Sequence, residues 1–468
     1  MSNTAETPSL VRESTFVPFR GWQPWLVLFL LVTSRLLLVV FAHSLSGDDG
    51  DRYLTEAINM WTHGTFSMAS GDTPSPTAHD LPLFPFIIAG FISVVKVPLL
   101  AAKITSLLNC ILFGVAARGI YDLGWRLTGS CRTAALAMLI FGCFPESFPY
   151  SVFYMPESLF LAFFVWCLVK FVEFLRTDHL RPLMWAFLLW GISILAKPIS
   201  LFLGPVLALI AITVAFSQRQ NRIRRISGIT AGLVIGASVV APWLVRNYVT
   251  FGVLGISSIT GTNLFYGNYL YMLEDMGVLN AQAVLASKET EVTATISPER
   301  DNPMVRANLL GALAKREILA HFSHYVATTL KRHPGLYLGT GSTGTLRLLG
   351  DAEGVLAMKK VLADRHAWRK VPLRVLLLLI GSGLILVVVY TSAVVGMMRL
   401  GWRRDWIALG VILLALLYFA VLIGPMTFVR YRVAMLPALS VAAAIGLRGG
   451  RWCPEAVIAR IPVKALEV

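Results

Sequence analysis

Charged side chains are scarce in this 468-residue chain: Asp, Glu, Lys and Arg make up 14%, against 56% hydrophobic residues. With a mean hydropathy of +0.68, that balance excludes an ordinary soluble globular domain. Cysteine is scarce too. Five are present (Cys110, Cys131, Cys143, Cys167 and Cys453), mostly in or beside apolar runs. No CxxC spacing occurs among them, so neither a disulfide framework nor a zinc site is indicated. The chain lacks a nucleotide-binding Gly-rich loop, an internal repeat and a low-complexity tract. No small-residue cleavage site follows the first apolar run, which reads as a retained span rather than a signal peptide.

What the chain has in abundance is apolar runs near the roughly 20 residues that cross a bilayer as a helix. Backbone polar groups cannot stay unpaired in lipid, so these runs are expected to be helices. The fold class is therefore an all-α polytopic membrane protein, with spans over about 24–43, 99–120, 133–153, 158–175, 182–196, 199–216, 226–245, 375–398, 406–424 and 433–447. The Pro-interrupted run 81–98 reads as re-entrant or interfacial. The net charge of +15 does not point to nucleic acid, because much of it falls in short loops between spans. Arg12 and Arg20, diluted by Glu6 and Glu13, precede the first span. Arg118, Arg126 and Arg132, then Arg176 and Arg181, Arg219, Arg222, Arg224 and Arg225, Arg399, Arg403 and Arg404, and finally Arg448 and Arg451 mark the expected cytoplasmic loops. Five parts follow: a cytoplasmic segment 1–23, an N-terminal membrane module 24–245, an extracytoplasmic region 246–374, C-terminal membrane helices 375–447 and a cytoplasmic tail 448–468.

The loop 44–80 carries Asp48, Asp49, Asp51, Glu56, Asp72 and Asp80 against Arg52 alone, and so belongs outside the cytoplasm. Within it, Tyr53 to Trp61 has the apolar spacing of an interfacial helix. In the region 246–374, 302–332 reads as one amphipathic helix, and Gly341-Ser342-Thr343-Gly344 as a flexible loop. Trp25, Trp61, Trp243, Trp402 and Trp406 read as interfacial belt residues.

Three carboxylates within four residues, Asp48, Asp49 and Asp51, leave three readings open. One of them is a general base, since a crowded and partly dehydrated carboxylate has a raised pKa; or the cluster binds a divalent cation through hard oxygen ligands; or it is a solvated loop that helps set topology. Glu157 lies at a span boundary, where a carboxylate is often only a helix N-cap group; Glu146 is a weaker candidate of the same kind. Lys197, Arg246, Arg430 and Arg432 fall on the outer side against the positive-inside trend. They either bind an anionic headgroup, with arginine offering a planar fork that matches phosphate, or snorkel to outer-leaflet lipid. His79, ahead of Asp80, is a lone histidine of the kind that is more often structural.

These motifs resemble the GT-C superfamily of polyprenyl-phosphate-sugar-dependent membrane glycosyltransferases, nearest to its aminoarabinose transferase and protein O-mannosyltransferase group. The resemblance rests on Asp49 four residues before Tyr53, with Ala57 and Gly64 beyond; on Leu81-Pro82-Leu83-Phe84-Pro85; on Pro242-Trp243-Leu244-Val245-Arg246-Asn247 with the stretch from Gly261 to Asn268; and on Arg430-Tyr431-Arg432-Val433-Ala434-Met435-Leu436-Pro437. It implies a GT-C-like bundle of about ten or eleven transmembrane helices. Asp49 matches the family's first-loop catalytic Asp, and Glu157 its acidic residue at the second outer loop. Many relatives have Asp-Glu in the first loop. Here Gly50 follows Asp49, leaving Asp48 and Asp51 as alternatives for the second carboxylate, with Tyr53 and His79 in support. The region 246–374 is small for relatives with a separate folded C-terminal domain.

The expected activity is transfer of a sugar from a polyprenyl-phosphate donor, with inversion, to an unspecified acceptor at the extracytoplasmic face of a bacterial inner membrane. In that reading Asp49, Asp51 and Glu157 are catalytic, and Lys197, Arg246, Arg430 and Arg432 hold the donor phosphate. A divalent cation at the acidic loop is left open. The rival readings are a lipid or sugar transporter or flippase, against which the absence of half-to-half symmetry weighs, and a non-catalytic assembly protein.

Overall fold

The computed structural model describes residues 19, 21–217, 222–297, 301–363, 369 and 371–448. Arg12, Arg20, Glu6, Glu13, Arg219, Arg451 and Cys453, and with them most of the expected N-terminal segment and tail, lie outside the described residues. Among the described residues there is no strand. Eight helices among them are long and apolar enough to cross a membrane, and three shorter apolar helices accompany these.

The chain enters through α1 (Gln23–Phe41) and leaves the apolar layer into α2 (Gly50–His63), an amphipathic helix. Its inner face carries Tyr53, Leu54, Glu56, Ala57 and Asn59. The side-chain amide of Asn59 ties down the following loop through the carbonyls of Ser67 and Ala69, both at 2.8 Å. Next comes α3 (Leu83–Val95), whose 13 residues reach only about 20 Å at 1.5 Å per residue. That is too short to cross the hydrocarbon layer, and α3 packs instead against α2 and α4 (Pro98–Thr128).

The run expected as one span over 133–153 is two helices, α5 (Cys131–Cys143) and α6 (Ser147–Val152), parted at Phe144-Pro145-Glu146. Such a break strands carbonyls at the end of α5. Arg35, buried on α1, answers one of them: its guanidinium donates to Gly142 O and to Ser147 Oγ at 3.2 Å, and lies over the Phe113 and Phe148 rings at 4.9 and 4.2 Å. Then follow α7 (Glu157–Thr177), α8 (Leu180–Ala196), α9 (Leu203–Ser217) and α10 (Arg222–Phe251). The last runs unbroken through Pro242, so Arg246 belongs to its final turns and not to a loop.

The region beyond holds α11 (Ile259–Asn263), a π-helical turn over Leu264–Tyr269, α12 (Leu270–Asp275), α13 (Ala281–Ala294), α14 (Pro303–Ala320), α15 (Phe322–Leu338), α16 (Ser342–Leu348) and α17 (Ala352–Ala363). The single helix expected over 302–332 is thus α14 and most of α15, parted at His321. The stretch expected as a flexible loop is the first turn of α16, started by Gly341 at φ +68°. Lys331 and Arg332 lock α15 onto Asp275 at 2.7 and 2.9 Å.

Three helices close the bundle: α18 (Leu373–Trp402), α19 (Trp406–Ile423) and, after a 3₁₀ segment over Val429–Met435, α20 (Leu436–Arg448). α18 and α20 meet through small residues. A Cβ on Gly396 would fall 1.9 Å from the carbonyl oxygen of Ala442, the close backbone approach that glycine permits between membrane helices. Of the expected belt residues, Trp25, Trp61, Trp402 and Trp406 are exposed. Trp243 is buried and donates to Ile256 O at 2.7 Å.

Replacing Arg35 by Met keeps the volume but takes the charged donor away from Gly142 O, which keeps only the Ser147 hydroxyl at 2.8 Å. The variant is expected to lose about 1–3 kcal/mol, read as a lowered thermal midpoint in detergent; an unchanged midpoint would show that the break needs no such donor.

Candidate active site

One end of the bundle gathers side chains from the first loop, α2, α7, the α8 end and the 3₁₀ segment before α20. Asp49 stands at the N-cap of α2, yet its carboxylate makes no capping bond. Two arginines hold it instead. Arg52 Nη1, one turn on, approaches at 2.8 Å, and Arg430 Nη1 comes from across the chain. Arg52 also forks onto Asp80 through Nε and Nη2, the latter at 3.0 Å. Burial pushes the Asp49 carboxyl up, but the Arg430 and Arg52 guanidiniums outweigh it and hold it below the usual carboxylate range. The raised pKa expected from crowding among carboxylates is therefore reversed: the neighbours that matter are cations.

The other two acids of the loop point elsewhere. Asp48 pairs with Arg347 on α16, and Asp51 accepts from Ser46 Oγ and Tyr154 OH, both at 2.8 Å. The three carboxylates are engaged by separate sets of partners and do not converge on one point as the ligands of a divalent cation would. No group of three or more His, Cys, Asp or Glu side chains arranged for a metal occurs among the described residues. Gly50 has a steric cause. A Cβ there would lie 2.9 Å from both Ser46 Oγ and the Tyr154 ring, so the position where relatives are expected to carry Glu is closed. The carboxylate that joins Asp49 through a shared arginine is Asp80, an acid with no mark in the sequence beyond its place in the acidic loop.

A second pair lies beside the first. Pro198 forces the residue before it out of helical conformation, and Lys197 sits at φ −148° and ψ 128°, ending α8. Its ammonium reaches Glu157 Oε1 at 2.6 Å. Glu157 is buried in the first turn of α7, with its other oxygen lacking a hydrogen-bond partner. Arg430 stands in the field of both Asp49 and Glu157, and the Tyr150 phenol in that of Asp48, Glu157, Arg430 and Arg347. Tyr150 had no signal in the sequence beyond its place near the second loop. Tyr53 is buried against Phe84, edge to face at 5.5 Å. His79 is half-buried, and burial lowers its pKa.

Two of the expected basic residues are not brought to this cluster. Side chains two apart on a 3₁₀ helix point about 240° apart, so where Arg430 faces the rim Arg432 turns inward. Arg432 is fully buried. It pairs with Glu146 and donates to Leu336 O at 3.1 Å, Tyr337 O at 2.5 Å, Gly339 O at 2.6 Å and Tyr390 OH at 2.9 Å. Arg246 donates to Thr77 O at 2.8 Å and Asn247 Oδ1 at 2.9 Å, among the Phe66, Trp243 and Phe251 rings.

Comparisons with known proteins bear on this arrangement. Residues 74–245 match the family described as dolichyl-phosphate-mannose-protein mannosyltransferase, a stretch that includes Asp80, Glu157 and Lys197. The oligosaccharyltransferase of Archaeoglobus fulgidus, in its apo form, superposes with a TM-score of 0.51 at 14% identity, over 91% of this chain and 50% of that one. The chain has the GT-C fold. It spans half the length of that archaeal enzyme. The resemblance to GT-C glycosyltransferases stands, as does an integral, multi-pass, all-helical architecture. ArnT from Cupriavidus metallidurans, bound to undecaprenyl phosphate, is similar over 90% of this chain and 78% of its own, with 15% identity and a TM-score of 0.40. No curated protein matches the chain.

The cluster also contains Glu56, fully buried on α2, with neither carboxylate oxygen hydrogen-bonded at ordinary geometry. Burial, then the neighbouring Asp80, pushes its pKa up to about 10 against the pull of Arg52. A carboxyl raised in the folded state favours folding fully below its ordinary value of 4.5, and that contribution is lost as pH rises towards 10. The wild-type thermal midpoint is therefore expected to fall between pH 5 and 9, with a slope in stability of about 1 kcal/mol per pH unit. Glu56→Gln is expected to flatten that slope; an equally steep variant would show that Glu56 is ionised in the fold.

Proposed function

We propose that this protein transfers a sugar from a polyprenyl-phosphate carrier to an acceptor nucleophile at the extracytoplasmic face of the membrane, with inversion at the anomeric carbon. The observation that carries the reading is Asp49 held between Arg52 and Arg430 beside the Glu157–Lys197 pair, at one end of a GT-C bundle. The family match over 74–245 supports a lipid-linked donor.

In this mechanism the acceptor oxygen attacks the anomeric carbon as its proton passes to an Asp49 carboxylate oxygen. The bond from that carbon to the carrier's phosphate oxygen breaks, and its electron pair leaves on the phosphate. Arg430 and Lys197 stabilise the charge that grows there, the larger catalytic contribution in reactions of this kind. Glu157 orients Lys197. Asp51 holds the first loop to Tyr154, and Asp48 holds it to α16 through Arg347. Arg432 acts through position: it anchors the 3₁₀ segment to the end of α15, which sets where Arg430 points. Arg246 fixes the Thr77–Asp80 side of the loop and so supports Arg52 through Asp80.

The test is an assay in proteoliposomes with radiolabelled polyprenyl-phosphate-linked sugars. Covalent transfer is expected, and Asp49→Asn is expected to slow it by about 10²–10⁴-fold while the variant stays folded. Label that crosses the bilayer without bond change would make the protein a transporter, and near-normal turnover by the variant would remove Asp49 from the chemistry. Because Asp49 is held below the usual carboxylate range in the free protein, the limb of kcat/KM that it sets lies on the acid side, below that range.

A further inference from the structure

The two arginines on Asp49 are held differently. Arg52 is fixed: Nη1 is on Asp49 at 2.8 Å, and Nε and Nη2 fork onto Asp80, whose side chain is only 3% exposed. Arg430 makes a single hydrogen bond, Nη1 to Asp49, with its guanidinium 5.3 Å from the Tyr431 ring centre. Its side chain keeps 20% of its surface open, as does that of Lys197, and Asp49 keeps 17%. A guanidinium carries five N–H donors, so most of those on Arg430 have no hydrogen-bond acceptor among the described residues.

We propose that Arg430 is an exchangeable partner: when the donor binds, its guanidinium passes from Asp49 to the carrier's phosphate, while Arg52, positioned by Asp80, keeps the Asp49 carboxylate in place. The proposal rests on reading this rim as a lipid-phosphate site. A phosphate offers the planar, bidentate geometry that arginine matches best, and Lys197 adds a second cation that the Asp49 contact lacks. Until a phosphate arrives, Asp49 fills the anion position and competes with it. Once Arg430 has moved, Asp49 keeps one arginine in place of two and becomes a stronger base. The base is thus strengthened only when the donor is present, and the donor binds before proton transfer from the acceptor. Asp80 and Arg52 are positioning residues in this scheme, since they act through Asp49.

The experiment measures equilibrium binding of undecaprenyl phosphate, without sugar, to the full chain in nanodiscs. Removing the competing carboxylate in Asp49→Asn is expected to tighten binding about tenfold, the equivalent of roughly one charge-assisted contact no longer broken; Asp49→Ala serves if the first variant folds poorly. Asp51→Asn removes the same charge from the same loop but frees no arginine, because Asp51 bonds to Tyr154 and Ser46. It is expected to stay within about twofold of wild type. Arg430→Gln is expected to weaken binding by about tenfold or more. Equal tightening by the Asp49 and Asp51 variants, or none by the Asp49 variants, overturns the exchange. Unchanged affinity in both Arg430→Gln and Lys197→Met overturns the phosphate-site reading itself. Inorganic phosphate, titrated in parallel, is expected to bind far more weakly; equal binding would assign the rim to free phosphate and overturn exchange with a lipid carrier.

Discussion

Charge neutrality in a half-buried place governs this site. Asp49 and Asp80 bring two negative charges, Arg52 and Arg430 bring two positive ones, and the groups touch in a chain from Asp80 through Arg52 and Asp49 to Arg430. A close pair at an effective dielectric near 20 is worth about 4 kcal/mol, comparable to the desolvation cost of each ion. No member can therefore be removed without exposing the others to that cost. Glu56 adds no further charge demand of its own, since burial and the neighbouring Asp80 raise its pKa and favour the neutral form. The first loop, α2 and the 3₁₀ segment before α20 are joined by this chain of contacts, although 381 residues separate Asp49 from Arg430.

The bundle around the site is built to tolerate a gap. Dividing the third apolar run into α5 and α6 leaves polar groups inside an apolar layer, and two buried arginines answer them. Arg35 donates to Gly142 and Ser147, while Arg432 binds Glu146 in the break and gathers three carbonyls at the end of α15. The gap brings α6 and the second loop up to the rim, where Tyr154 meets Asp51 and Glu157 opens α7. Structural arginines thus shape the surface on which Arg430 and Lys197 stand open.

Hydropathy made the long spans legible, because a helix of about 20 apolar residues has few other destinations. α1, α7 and α19 lie within a few residues of where the sequence puts them. Breaks were less legible. Nothing in the composition of 133–153 separates α5 from α6, since Pro145 is one proline among several and a proline inside α10 leaves that helix whole. The oddity of cations on the outer side points to acids and cations meeting at one rim. It does not say which cation meets which acid. Whether Arg430 or Arg432 faces the rim depends on a short 3₁₀ turn, and Asp80 is distinguished from Asp72 only by contact with Arg52. Tyr150 and Glu56 gave no sign, because burial beside specific charges is a tertiary property.

The most direct test of the central claim is an experimental structure of the protein with a polyprenyl phosphate bound. The account predicts the phosphate within hydrogen-bond distance of Arg430 and Lys197, with Asp49 still on Arg52 and Arg52 still on Asp80. A phosphate seated elsewhere in the bundle, with the Asp49–Arg430 pair intact, would contradict it.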